Sequence, residues 1–248
     1  MLAIIGGTGL TQLPNLEITH RQVMRTPYGE PSGAITFGRL RQHAVIFIAR
    51  HGYGHTIPPH EVNYRANLWA LREQGAQRVV AVAAVGGIRS DLLPGTLVLP
   101  HQILDYTHGR AFTYFDGKDR PVTHVDFTHP YTQGLRQQIM DAARCANEAC
   151  VDGGVYAATQ GPRLETAAEI DRLERDGADM AGMTGMPEAA LARELGLEYA
   201  AIAVVVNHAA GRGSSRDGVH LDSVGAVTQT AMARVRHILE CMVGNDGS

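Results

Sequence analysis

Tyr199–Val206 reads YAAIAVVV, an apolar run that meets Asn207-His208-Ala209 at its end. An unbroken run fits a strand covered on both faces, because alternation with polar residues appears only where one face meets water. The pattern recurs upstream. Arg78–Val85 (RVVAVAAV) enters Gly86-Gly87, His43–Ala49 (HAVIFIA) enters Arg50-His51-Gly52, and Leu2–Ile5 enters Gly6-Gly7-Thr8-Gly9. Further strands are expected over Thr96–Leu104, over Gly154–Ala158 before Gln160-Gly161-Pro162, and over Ala178–Met183 before Thr184-Gly185.

Helical segments alternate with these strands. Glu61–Gln74 carries Val62, Ala66, Trp69 and Ala70 near one face and stops at Gly75. Tyr131–Ala149 and Thr166–Arg175 read as helices, the second ending at Gly177. Pro187 suits the first position of a helix that runs through Leu195 to Gly196. Asp222–Met242 lines up Val224, Val227, Ala231, Val235, Ile238 and Met242 on one stripe. Asp105–His129 is a long polar, aromatic and His-bearing connection, a length typical of functional or disordered loops. There is no internal repeat and no linker, so residues 1–248 are expected to form one α/β domain with helices on both faces of the sheet.

Composition narrows the function. The chain has 248 residues, 44% apolar and 19% charged, with a net charge of −3. That balance disfavours a nucleic-acid binder, which needs many cations against phosphates. A small anionic substrate needs only a local positive pocket. No apolar run is long enough for a membrane span, and Met1–Ile5 lacks the basic leader of a signal peptide. Cys145, Cys150 and Cys241 show no CxxC spacing and read as reduced thiols, which suggests a cytoplasmic location.

The chemistry gathers at the strand ends, where open α/β sheets bind ligands. Gly6-Gly7-Thr8-Gly9 can offer backbone N–H groups and a hydroxyl to an anion, or be a plain tight turn. It is not a dinucleotide fingerprint, since Gln12 stands where the third glycine belongs, and no Gly-Lys-Ser/Thr of a P-loop follows. Arg50 can grip two phosphate oxygens, with His51 as a further donor, or can sit at a strand end facing solvent. His51, His55 and His60 do not read as a metal site: Gly52, Gly54, Pro58 and Pro59 break any helix between them, and no HExxH is present. Ala83-Ala84-Val85-Gly86-Gly87 packs closely on a helix or bares its backbone to a ligand. Thr184 lies near a helix N-terminus, a position suited both to capping and to phosphate. Asn207 either terminates its strand or reads a ligand, and Glu165 either complements a helix N-terminus or does the same.

Together these motifs resemble the trimeric purine nucleoside phosphorylase and methylthioadenosine phosphorylase family. The resemblance runs from GGTGL at Gly6 to VVVNH at Val204. ARHGYGHTIPPHEVNYRANLWAL followed by AAVGGI carries it most specifically, with QGPRLET and MTGMPE beyond. It implies a three-layer nucleoside-phosphorylase fold with a mixed, twisted central sheet, a homotrimer, no cofactor and no metal. It implies phosphorolysis of a purine nucleoside, with inorganic phosphate as co-substrate. Thr8, Arg50, His51, the backbone at Ala84, and Thr184 match phosphate-site positions. Met183 matches the residue on the ribose, and Leu164, Glu165 and Asn207 match the purine pocket. Arg50, His51 and Asn207 take the catalytic positions. Leu221 and His124 match positions near the ribose 5′ group, His124 from a neighbouring subunit. Ala83 departs from the family, which carries Thr, Ser or Asn there.

Glu165 and Asn207 resemble the base readers of 6-oxopurine enzymes. Methylthioadenosine enzymes carry aspartates after this last strand. A carboxylate at Glu165 accepts from purine N1–H, which a 6-aminopurine lacks. Leu221 suits a methylthio group and would leave a 5′-hydroxyl unpaired. A shift of one residue across Gly211–His220 would bring in His220 instead. The expected substrate is therefore a 5′-methylthioinosine. Methylthioadenosine, or inosine and guanosine, are the alternatives within the family, and a non-catalytic nucleoside-binding protein or a nucleotide-binding oxidoreductase lies outside it.

Overall fold

A computed structural model describes residues 1–117 and 121–244. Residues 118–120 of the long connection and 245–248 at the end of the expected domain lie outside the described residues. The architecture is a mixed sheet between two helical layers.

The centre of the sheet is β5 (Arg78–Gly87) lying parallel to β11 (Glu198–His208). Beyond β5 come β1 (Leu2–Gly6) and β4 (His43–Ala49), all parallel, so three strands send their carboxyl ends the same way as β11. β10 (Met180–Gly182) joins the far end of β5 antiparallel through Gly86 and Gly87, and leads to β9 (Val155–Ala158) and β7 (Gln102–Asp105). β6 (Leu97–Leu99) pairs with β11 on its other side, and β8 (Val151–Asp152) with β6.

Strand alternation explains the unbroken apolar runs. Val79, Ala81, Ala83 and Val85 of β5, with Tyr199, Ala201, Ala203 and Val205 of β11, share one core. That core includes Leu68 and Leu71 of α1 (Tyr64–Glu73), and Ala189 and Leu191 of α4 (Gly185–Glu194). The intervening Val80, Val82, Ala200, Ile202 and Val204 join a second core on the opposite face. There they meet Leu135 and Ile139 of α2 (Gln133–Cys145), and Val235 and Ile238 of α5 (Leu221–Gly244). A strand covered twice has no polar side, which is what YAAIAVVV records. α3 (Ala167–Arg175) closes a smaller cluster with Ile170 and Leu173 against Ala181 and Ala209.

Local chemistry sets the ends. The expected Glu61–Gln74 helix begins at Tyr64, because the Asn63 side chain accepts from the Ala66 N–H and caps it. Thr166 and Glu169 form a capping box that starts α3. The expected Thr96–Leu104 strand is two strands, since the chain leaves β11 at Pro100 and joins β9. The expected Tyr131–Ala149 helix is shorter at both ends, with Asn147 at φ 54° and β8 following. Three strands escape the sequence reading altogether: the two-residue β8, and β2 (Glu17–Gln22) and β3 (Ile35–Leu40), which extend the sheet beyond β4. Every β2 residue is exposed, so no apolar period betrays it, and this edge is not covered as the sheet was expected to be.

Candidate active site

The strand ends converge on a cleft of about 400 Å³. Thr8 reaches it from the turn after β1, Arg50 and His51 from the end of β4, and Ala83 to Gly86 from β5. Met183 and Thr184 follow β10, Asn207 lies in β11, Leu164 and Glu165 precede α3, and Leu221 opens α5. Each site residue singled out from the sequence lines this cleft except His124, which is exposed on the 105–129 connection and away from the lining.

Arg50 does not face solvent: it is 1% exposed. Its Nε and Nη2 donate to the two carboxylate oxygens of Glu188 at 2.7 and 2.9 Å, and Nη1 donates to Val82 O at 3.0 Å. Those bonds leave one hydrogen on each Nη, so the fork expected for phosphate is taken by Glu188 and only the opposite edge remains. Burial opposes the Arg50 charge, but Glu188 outweighs it and holds the guanidinium above its ordinary range. Glu188 also accepts from the Tyr199 hydroxyl at 2.8 Å. Gly7 is required here, since a Cβ would stand 2.4 Å from Val82 O and 2.8 Å from Arg50 Nη1.

His51 Nδ1 lies 2.8 Å from Ile57 O. A carbonyl only accepts, so Nδ1 carries the hydrogen and Nε2 is left as an acceptor. Burial, with Arg50 beside it, pushes His51 down to about 4, so the ring is neutral at pH 7. The donor expected of His51 is therefore an acceptor at Nε2. His55, at φ 51°, places Nε2 3.1 Å from Thr8 Oγ1 and its ring 5.0 Å from that of His51.

Thr184 is the residue before α4, but its hydroxyl makes no capping bond, and its N–H donates to the Tyr156 hydroxyl at 3.3 Å. Thr159 Oγ1 donates to Glu165 Oε1 at 2.5 Å. Asn207 owes its position to a bulge. Val205 pairs with Val85 and Asn207 with Gly86, so Val206 is an extra residue that re-aims the strand end. Asn207 Nδ2 donates to His208 O at 2.6 Å, leaving Oδ1 as an acceptor. Leu221 shares the wall with Val219 and Val224, whereas His220 is not among the lining residues.

Sequence reasoning missed two groups. Glu188 was visible in MTGMPE, where a carboxylate next to Pro187 reads as a helix N-terminal acid and nothing announces Arg50 as its partner. Arg110 sits in the long connection, and its buried place is set by tertiary contacts alone.

Comparisons with known proteins agree with this geometry. Residues 1–243 match the Phosphorylase superfamily. A probable S-methyl-5′-thioinosine phosphorylase of Pseudomonas syringae pv. tomato is 56% identical, over 86% of this chain and 87% of its own. A 6-oxopurine nucleoside phosphorylase of Pyrococcus furiosus is 46% identical, over 85% of this chain and 80% of its own. The methylthioadenosine phosphorylase of Schistosoma mansoni, solved with adenine, superposes with a TM-score of 0.94 at 34% identity, over 99% of this chain and 91% of that one. With its family match, its strand-end motifs and its cleft in agreement, the chain belongs to the Phosphorylase superfamily.

Proposed function

We propose that the protein cleaves S-methyl-5′-thioinosine with inorganic phosphate, giving hypoxanthine and 5-methylthioribose 1-phosphate. The observation that carries this reading is the company of three side chains in one cleft: Glu165, Asn207 and Leu221. Glu165 uses Oε1 for Thr159 and offers its second oxygen to purine N1–H, a hydrogen that only a 6-oxopurine has. Asn207 offers Oδ1 to N7–H as the purine gains charge. Leu221, Val219 and Val224 give an apolar wall to a thioether and no partner to a 5′-hydroxyl. The Pseudomonas relative carries the same substrate in its name.

In the mechanism, Thr8, Thr184, the Ala84 backbone and the free edge of Arg50 orient phosphate against C1′. The C1′–N9 bond breaks first and its electron pair leaves with the purine. The proton that hydrogen phosphate gives up passes through solvent to N7, whose new N–H donates to Asn207 Oδ1, so hypoxanthine leaves neutral. The ribosyl cation is stabilised by the phosphate dianion, which then forms the C1′–O bond with inversion. Orientation and preorganised dipoles supply most of the rate. His51 Nε2 accepts from a hydroxyl, either of the ribose or of a protonated phosphate oxygen. Met183 packs on the ribose. A homotrimer would let His124 of one subunit reach its neighbour's cleft. The unpaired Cys145, Cys150 and Cys241 suit a cytoplasmic enzyme.

The test is phosphate-dependent release of base from methylthioinosine, methylthioadenosine and inosine, compared by kcat/KM. Methylthioinosine should win. A clear win for methylthioadenosine would overturn the reading of Glu165 and Asn207, and no phosphate-dependent release would overturn phosphorolysis itself.

A further inference from the structure

Arg110 is a buried cation that lies outside the lining of the cleft and has no carboxylate partner among the described residues. It is 7% exposed and lies 5.5 Å from the centre of the Tyr64 ring. Nη1 donates to Met183 O at 2.8 Å and Met186 O at 2.6 Å, with the Tyr64 hydroxyl at 3.3 Å. Nη2 donates to Thr159 O at 3.2 Å and Gln160 O at 2.9 Å. Its Nε is buried without a hydrogen-bond partner among the described residues. One guanidinium thus collects four backbone carbonyls from two separate strips of chain. The 159–165 strip carries Leu164 and Glu165. The 183–186 strip carries Met183 and Thr184. A second bond from the same connection, His108 N–H to Gln160 Oε1 at 3.1 Å, reinforces the first strip.

A buried charge satisfied by carbonyl dipoles and one tyrosine, with no counter-charge among the described residues, is costly to maintain, and a neutral residue could fill the space without that cost. A planar five-donor fork, however, can fix several acceptors at set angles, as no ammonium can. We propose that Arg110 is a positioning residue that sets the purine-reading strip against the strip that touches ribose and phosphate. This rests on the phosphorylase reading of the cleft. Arg110 touches no substrate; it acts through the distance between Glu165 and Met183. The phosphate donors have their own supports: Arg50 is held by Glu188 and Val82, and Thr184 N–H is held by Tyr156.

The experiment compares R110K and R110Q with the wild type. R110K keeps charge and bulk but loses the fork. For R110K, kcat/KM on methylthioinosine should fall about 10- to 100-fold, the penalty for a misplaced reacting group. The preference for methylthioinosine over methylthioadenosine should narrow, and the phosphate KM should rise less than the nucleoside KM, since Arg50 is held independently of Arg110. Equal losses on both nucleosides with the preference intact would overturn the proposal, because a merely structural residue lowers both alike. Amide hydrogen exchange gives a readout independent of activity: residues 159–165 and 183–186 should lose protection together in R110K. Unchanged protection would overturn the positioning role even if the wild type proved inactive on every nucleoside, a result that by itself would overturn only the phosphorolysis reading. If neither variant accumulates, wild-type exchange decides: the two strips opening as one unit supports the proposal, and independent opening overturns it.

Discussion

Replacing Glu188 by Gln, behind the cleft wall, should damage this protein severely, because it breaks the buried pair that holds Arg50. Arg50 and Glu188 are each 1% exposed and joined by two hydrogen bonds at 2.7 and 2.9 Å. The amide keeps the volume and one acceptor but removes the counter-charge and turns an N–H toward the guanidinium. Breaking a buried pair from one side costs about 3–5 kcal/mol, because the surviving charge stays desolvated. At roughly 2–4 °C per kcal/mol for a chain of this size, Tm should fall by about 6–20 °C. A phosphate dianion on the free edge of Arg50 would restore a counter-charge. Phosphate should therefore bind E188Q more tightly and, at one excess concentration, stabilise it more than the wild type, by about 1.4 kcal/mol for each tenfold fall in the dissociation constant. The assay is thermal unfolding at pH 7 with and without phosphate, alongside kcat, which should fall as Arg50 loses its fixed orientation. Y199F is the control. It removes one donor to Glu188 at 2.8 Å and should cost about 1 kcal/mol with no change in the phosphate response. An E188Q protein with wild-type Tm and wild-type phosphate stabilisation would refute the argument that Glu188 sustains Arg50.

Three further outcomes follow from the same geometry. Asn207→Asp should move kcat/KM toward methylthioadenosine by about tenfold, since a carboxylate accepts from a 6-amino group and repels a 6-oxo group; an unmoved ratio would mean that the base is read elsewhere. Leu221→His should raise kcat/KM for inosine and lower it for methylthioinosine, each by about tenfold, by supplying a partner for the 5′-hydroxyl; no change in either would remove Leu221 from the 5′ pocket. His51 has a depressed folded value of about 4 against an ordinary 6.5, so the unfolded chain binds more protons between those limits. Stability from this group is therefore complete above pH 6.5 and lost on acidification toward pH 4, by at most about 3 kcal/mol. Urea unfolding across that window should show a shallower pH dependence in H51Q, and parallel curves would contradict it.

The parts of the site that the sequence displayed are those fixed by local rules. A strand end followed by glycine is local, and so are the Gly75 stop and the Pro187 start, since Met186 (φ −119°, ψ 140°) interrupts α4 and continuous helical backbone begins after it. The cleft therefore gathers Thr8, Arg50, Thr184 and Asn207 as their strand-end positions implied. What the sequence hid depends on partners far away in the chain. β2 has no apolar face because its edge position gives it none to bury. The Val206 bulge exists only in register with β5. Glu188 lies 138 positions from the arginine that it engages. The tautomer of His51 is set by the carbonyl of Ile57, a loop contact that no motif encodes.

These hidden features together decide the electrostatics of the proposed site. Arg50 is neutralised by Glu188, His51 is uncharged at pH 7, and Arg110 is bound to backbone carbonyls outside the cleft lining. In the site as proposed, phosphate would meet hydrogen-bond donors held at fixed angles, with little free positive charge in contact with it. That suits the chemistry. A dianion clamped by unpaired cations would be a poorer nucleophile and a weaker stabiliser of a ribosyl cation, since its charge would already be balanced. A dianion oriented by the Thr8 and Thr184 hydroxyls, backbone N–H groups and a paired arginine keeps its field directed at C1′. The Glu188–Arg50 pair is on this argument a device for supplying a guanidinium's geometry without its full charge.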